Sequence, residues 1–387
     1  MTKYVFFFSL IISSTCLLFG QENSSIHQQE LEYYNSLGQT TDWYEQNVNT
    51  TIYPKSDERV FGCTTNKVVY GWHPYWVGAA YNNYDWDLLT HFSFFSYEVN
   101  PANGNALSTH GWATSTAVDA ALASGVKVTL CVTLFGSSDL ATFLSNATSK
   151  QNLINNLIST VQARGAHGVN IDFEGIPSSQ TTNFANFMVS LTNQMHAAIP
   201  GSEVSTVLYA VDWNNVFDFS IMDPVVDHFI IMGYAYYYQG SSNTGPNDPL
   251  YHFGSSYNYT LSKTITDYVD NGCSKNKLVM GLPYYGYEWA TTSQTIPSPT
   301  TATGTAKTFQ QVMNNTSGYY STANHNWDAA SYTDIFTFNN GTTDKQCYIA
   351  LEDAFRKRLE HVNNSGIAGI GIWALGYDDG YGQYWNA

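Results

Sequence analysis

The sequence predicts an α/β chain: a (β/α)8 TIM barrel with a small α+β insertion subdomain between strand 7 and helix 7. Three observations predict it. Short apolar runs recur at 67–72, 89–97, 126–134, 168–174, 203–210, 228–234, 277–284 and 367–374. Stretches of helical periodicity separate several of them, most clearly 140–163, 182–198, 261–271 and 349–363. The fourth run, Gly168 to Glu174, alternates between an apolar and a polar face. Alternating strands and helices imply parallel strands joined by right-handed crossovers, and eight such units suit a closed barrel.

In chain order, residues 1–20 read as a secretory signal. Lys3 supplies the positive start, and the apolar run that follows is too short and too Ser-interrupted for a membrane span. No later segment is apolar enough to span a membrane either. The chain is therefore expected to be secreted, with the periplasm or cell surface as the alternative destinations. Residues 21–60 are polar and read as a surface segment leading into the fold, with a short helix around 28–36. Residues 61–387 form the barrel unit, whose helices end near Gly165, Gly201, Gly272 and Asn363–Asn364. The stretch 290–345 is too long for one connection and carries a β-prone piece at 332–338. It is expected to be the insertion, forming one wall of a cleft. A short or missing last helix is expected before Ala387.

Composition narrows the partners. A formal net charge of −16 disfavours phosphate backbones and anionic membrane surfaces, so no nucleic-acid partner is expected. Charged residues are only 12% and aromatics 16%, with 29 tyrosines, which suits an extracellular protein handling neutral polymers. Sugar rings stack their C–H faces on such aromatics. Cys63, Cys131, Cys273 and Cys347 allow three pairings, which spacing does not resolve, and Cys131 sits in an apolar run that favours a buried thiol. No cysteine or histidine spacing suggests a metal site. The chain is expected to act as a monomer.

The fourth run carries the chemistry. As a strand it places Asn170, Asp172 and Glu174 on one face and Val169, Ile171 and Phe173 on the other. Successive carboxylates then lie about 6–7 Å apart along the strand. At that separation one can stay charged while the other keeps a proton. In such barrels the chemistry lies at the C-terminal strand ends, so Glu174 falls at the rim, with Asp172 one layer deeper and Asn170 below it. A polar column in a barrel core is costly unless its members are paired, and catalysis explains it better than stability does.

This column resembles glycoside hydrolase family 18, the chitinase-like barrels, whose fourth strand reads D-G-x-D-x-D-x-E. Here the frame runs from His167 through Gly168, Asn170 and Asp172 to Glu174. Met232-Gly233-Tyr234 matches the family's M-x-Y, and Gly281 to Gly286 its G-x-P-x-Y-G. Trp373 ends the eighth run, where the family has a tryptophan floor. The wording looks closest to the branch that includes spore-cortex-lytic enzymes and peptidoglycan N-acetylglucosaminidases.

The resemblance implies substrate-assisted, retaining hydrolysis of β-1,4-linked N-acetylglucosamine polymers. Glu174 would be the acid and base. Asp172 would orient the substrate acetamide, Tyr234 would align its carbonyl, and Trp373 would carry the sugar face. Asn170 and Met232 would line the site, with Trp76 and Tyr285 as further sugar platforms. No metal or organic cofactor is implied. Chitin-like polymers are the first substrate expected, with peptidoglycan N-acetylglucosaminidase and endo-β-N-acetylglucosaminidase activities as alternatives. A non-catalytic lectin is the reading of another class, against which Glu174 and Asp172 both argue. His167 and Asn170 replace two aspartates of the pattern, and Ala235 stands where many relatives carry another. Asn170 is expected to hydrogen-bond Asp172, and His167 to be structural.

Overall fold

The computed structural model describes residues 24–48, 66–254 and 258–387. The expected signal segment and Cys63 lie outside these residues.

Eight parallel strands close into a barrel: β1 (Val68–Pro74), β2 (His91–Val99), β3 (Lys127–Phe135), β4 (Gly168–Glu174), β5 (Glu203–Leu208), β6 (His228–Met232), β7 (Leu278–Pro283) and β8 (Gly369–Trp373). Pairing of Val68 with Gly369 and of Gly71 with Phe92 joins the last strand to the first and the first to the second. Every residue of β4 is buried, as a strand covered on both faces must be. Its foot packs against β5 so closely that a Cβ on Gly168 would meet the Glu203 carbonyl oxygen at 1.8 Å. The backbone there has φ +150°, so glycine is needed twice over.

The helices follow the expected order with local differences. The stretch 140–163 is two helices, Ser137–Ser145 and Ala147–Arg164. Asn146 breaks it: its backbone is extended and its side chain caps the second helix through Ser149 N–H. Gly165 ends that helix in the left-handed conformation. Helices Thr181–Ala198 and Leu261–Asp270 lie where expected. The last long helix spans Glu352–Ser365 and ends at left-handed Gly366, past the expected Asn363–Asn364. A four-residue turn of helix, Gln383–Asn386, follows β8.

Between β7 and the Glu352–Ser365 helix, five antiparallel strands form a second sheet. Their order is Thr305–Thr308, Tyr285–Thr291, Asp344–Ile349, Thr333–Asn339 and His325–Asp328. The sheet therefore begins at Tyr285 and ends at Ile349, wider than 290–345. Alternation in YGYEWAT places Tyr285, Tyr287 and Trp289 inside it rather than along a barrel strand. Asp248 and Arg358 form a buried ion pair of 2.6 Å, and Arg358 also donates to the Asp248 and Tyr332 carbonyls.

Among the described residues two helices precede the barrel: α1 (Ile26–Ser36) and α2 (Thr41–Asn47). Ser25 caps α1 through Gln28 N–H, and Thr40 caps α2 through Trp43 N–H. A helix was expected near 28–36, but on the surface. Instead α1 lies in the barrel mouth, with Ile26, His27 and Leu31 buried. Cys131, Cys273 and Cys347 are buried free thiols. Among the described residues no helix is long and apolar enough to cross a membrane.

Candidate active site at the barrel mouth

The polar face of β4 supplies the column. Asn170 at its base accepts from Trp72 Nε1 at 2.9 Å and donates to Ser205 Oγ at 2.9 Å. No bond to Asp172 is present among the described residues, contrary to expectation. Trp72 on β1 and Ser205 on the adjacent β5 satisfy the Asn170 amide first. Asp172, one layer up, is wholly buried and leaves Oδ1 without a hydrogen-bond partner among the described residues. Glu174 sits at the rim, 8% exposed. Its carboxyl is raised above the usual range by burial and by the nearby Asp172 carboxylate.

The other expected residues surround this column. Tyr234 and Trp373 are buried at the ends of β6 and β8. Met232 is buried on β6, and Tyr285 packs edge-on against Tyr234 at 6.0 Å between ring centroids. Tyr285 Oη has no hydrogen-bond partner among the described residues. Ala235 takes a left-handed φ of +60°, and its N–H donates to Asn247 Oδ1 at 2.7 Å. Asn247 in turn donates to the Tyr285 carbonyl at 3.2 Å. His167 lies at the foot of β4, accepting from Val128 N–H at 3.0 Å.

The remaining aromatic and acidic candidates separate by contact. Asp212 is committed to its own loop, accepting from Val216 and Phe217 N–H, and Trp213 is exposed against Tyr259. His73 is buried on Tyr84 Oη. Tyr284 packs with Tyr384 and Phe355 in the wall, away from the mouth.

Helix α1 fills the space above the column. His27 is wholly buried. Its Nδ1 lies 2.8 Å from Asp172 Oδ2 and 3.3 Å from Glu174 Oε1, and its Nε2 lies 2.8 Å from Tyr234 Oη. Its ring covers Trp373, centroid to centroid 3.7 Å. Burial opposes a charge on this imidazole, but the two carboxylates outweigh it and lift the pKa to about 10. Both ring nitrogens then donate, Nδ1 toward the carboxylates and Nε2 to the Tyr234 oxygen. Ser25 Oγ donates to Glu174 Oε1 at 2.8 Å.

One turn along, Glu30 accepts from Trp373 Nε1 at 3.1 Å. Burial raises its pKa to about 7 against the opposing bonds from Tyr377 and Trp373. Two turns along, Tyr34 stacks on Trp76 at 4.5 Å and 8°. The spacing of His27, Glu30 and Tyr34 puts them on one helix face. That pattern was readable in the sequence, but nothing local says which barrel end a helix will meet. An apolar hollow of ≈ 420 Å³ lies elsewhere, lined by Val69, Phe355, Leu359 and Trp385. The mouth itself is occupied by α1.

Residues 66–378 match the profile described as Glycosyl hydrolases family 18. Among curated proteins, the cortical fragment-lytic enzyme of Bacillus subtilis is 24% identical over 250 residues, which are 60% of this chain and 52% of that protein. The class V chitinase of Arabidopsis thaliana is 27% identical over 274 residues, 64% of this chain and 69% of that protein. Against two other curated relatives the chain spans 52% and 42% of their length. Among solved structures, a class V chitinase from Nicotiana tobaccum in complex with NAG4 superposes with a TM-score of 0.74 at 18% identity. That match covers 84% of this chain and 98% of the other.

Proposed function

The chain belongs to the glycosyl hydrolases family 18, and from that premise we propose that it is a secreted retaining glycosidase. Its substrates are β-1,4-linked N-acetylglucosamine polymers, and the substrate's own acetamide assists the cleavage. In this reading residues 61–387 form the catalytic unit, and the sheet around 290–345 walls its cleft.

One observation carries the reading. Asp172, Glu174, Tyr234 and Trp373 converge on a single point, now held by the His27 ring. An N-acetyl sugar placed there finds a partner for each of its groups. Its ring lies on Trp373. Its acetamide N–H donates to Asp172, whose Oδ1 is buried and without a partner among the described residues. Its acetamide carbonyl accepts from Tyr234 Oη, which aligns that oxygen with the anomeric carbon.

Glu174 then gives its proton to the glycosidic oxygen as that bond breaks, and the acetamide oxygen bonds the anomeric carbon. The raised Glu174 pKa keeps that proton available closer to neutrality. Asp172 stabilises the positive charge that develops on the acetamide nitrogen. Water next attacks the anomeric carbon from the face the leaving group left, giving a proton to the Glu174 carboxylate, as the bond to the acetamide oxygen breaks and the acetamide is restored. Two inversions give net retention. The family is an exception to the two-carboxylate scheme, and the substrate supplies the second group.

The substrate is settled by products. Purified protein and Glu174→Gln are incubated with chitin oligosaccharides and, in parallel, with peptidoglycan, and the products are weighed by mass spectrometry. Cleavage after N-acetylglucosamine that Glu174→Gln abolishes is the expected result. Wild type and variant equally inert on both, yet still binding sugar, would favour a lectin.

A further inference from the structure

We propose that the segment from Ser25 to Asn47 is an intramolecular inhibitor, with α1 mimicking a bound sugar chain that substrate must displace. The inference rests on the glycosidase reading of the mouth. It concerns a segment that the matched residues 66–378 do not include.

The contacts of α1 repeat those the proposed substrate needs. His27 engages Asp172 and Tyr234 with its two ring nitrogens and lies on Trp373, the same three groups an acetamido sugar would take, although its Nε2 donates to the Tyr234 oxygen where the sugar's carbonyl would accept from it. Ser25 holds a carboxyl oxygen of Glu174, the proposed acid. Tyr34 lies flat on Trp76, a second aromatic platform. Seven residues of helix separate His27 from Tyr34, about 10 Å. One helix face therefore covers both platforms at once.

The segment is also tied down outside the site. Asn35 accepts from Tyr75 Oη at 3.0 Å and donates to Glu98 at 3.0 Å. Thr41 Oγ1 donates to the His110 carbonyl. Glu45 accepts from Ser115 Oγ at 2.8 Å and Thr116 N–H at 2.9 Å, at the start of helix Thr116–Ala123. A carboxylate there suits the positive end of a helix. Gly78 lies so close to α2 that an added Cβ would meet the Tyr44 carbonyl at 2.3 Å.

The ties of α2, through Thr41, Tyr44 and Glu45, keep the inhibitor at high local concentration whether or not α1 is seated. Apparent substrate affinity is then reduced by the fraction of molecules whose mouth is open. A polymer that reaches both Trp373 and Trp76 competes with the whole helix face, whereas a short sugar competes with only part of it.

The test uses the full chain. Wild type, His27→Ala and Tyr34→Ala are assayed on tetra-N-acetylchitotetraose, and hydrogen exchange of residues 26–36 is followed with and without the sugar. Expected are a rise in kcat/KM of ~10-fold or more in both variants and faster exchange of 26–36, in the variants and in sugar-saturated wild type. Tyr34→Ala does not touch the carboxylates, so it guards against a folding or catalytic effect of His27→Ala. Equal kcat/KM in all three proteins overturns the inhibitor. So does a fall for His27→Ala, which would make His27 part of the machinery. No turnover in any of them while 26–36 exchanges freely overturns the glycosidase reading instead, and the inhibitor with it.

Discussion

The two mouths of the barrel both hold carboxylates, half-buried at one and buried at the other, and they satisfy them differently. At the lower mouth Glu203 receives His91 Nε2 at 2.7 Å and the Lys127 ammonium, from β2 and β3. Both partners belong to the barrel's own strands. Burial pushes the Glu203 carboxyl up, but those two bonds overcome it and hold the pKa near about 2. At the upper mouth Asp172 and Glu174 have no such partner from the barrel among the described residues. Their closest bonds come from Ser25 and His27, on a separate helix. The lower arrangement cannot come apart without disturbing the strands, whereas the upper one can, by release of α1. The first is an arrangement for stability, and in the proposed reading the second is one for exchange with a ligand.

Substitutions can break or sharpen this contrast. The largest effect is expected for Glu174→Gln in the upper mouth. Turnover should fall by about 10²–10⁴-fold with unfolding temperature nearly unchanged. Asp172→Asn should follow at about 10²–10³-fold, since it weakens the charge facing the acetamide while keeping the shape. Steady-state rates on tetra-N-acetylchitotetraose check both.

Glu203→Ala should do the opposite. It should leave kcat/KM within a factor of about two, while chemical denaturation shows a loss of about 1–3 kcal/mol from stranding the buried His91. A matching collapse of activity would erase the distinction between the mouths.

The mouths should also respond oppositely to pH. Glu203 has a depressed pKa, so its contribution is present above the ordinary 4.5 and is lost as pH falls toward about 2. Glu203→Ala should therefore flatten the acid limb of the stability curve. His27 has a raised pKa when seated, so its contribution to docking is complete below 6.5 and is lost as pH rises through about 10. The charged and titratable groups facing it are Asp172, Glu174, Tyr234 and, more distantly, Glu30. Glu30 acts in the same direction, losing its share between 4.5 and about 7. Hydrogen exchange of residues 26–36 should accelerate between pH 6 and 10. Exchange that slows once corrected for its intrinsic pH dependence would contradict the charge pairing.

How legible this was in the sequence follows the range of each interaction. The β4 column was legible because alternation along a strand is local: Asn170, Asp172 and Glu174 had to share a face. The barrel was legible because eight runs recur with helices between them. The break at Asn146 was not, because Leu140 to Ala163 keeps helical periodicity and only the cap shows the turn. The extent of the second sheet was missed because Tyr285 to Thr291 reads equally well as an extension of β7. Asn170's partners were misjudged for a related reason, since Trp72 and Ser205 reach it from other strands. Least legible was α1. His27 and Asp172 are 145 positions apart, and no local pattern in residues 26–36 names the carboxylates that helix will meet.

The most direct test compares three full-length proteins on tetra-N-acetylchitotetraose: wild type, His27→Ala, and His27→Ala with Glu174→Gln. The expected order is fastest for His27→Ala, slower for wild type, and slowest for the double variant by about 10²-fold or more. A double variant as fast as His27→Ala would remove Glu174 from the chemistry. A His27→Ala protein slower than wild type would show that the helix serves the reaction rather than blocking it.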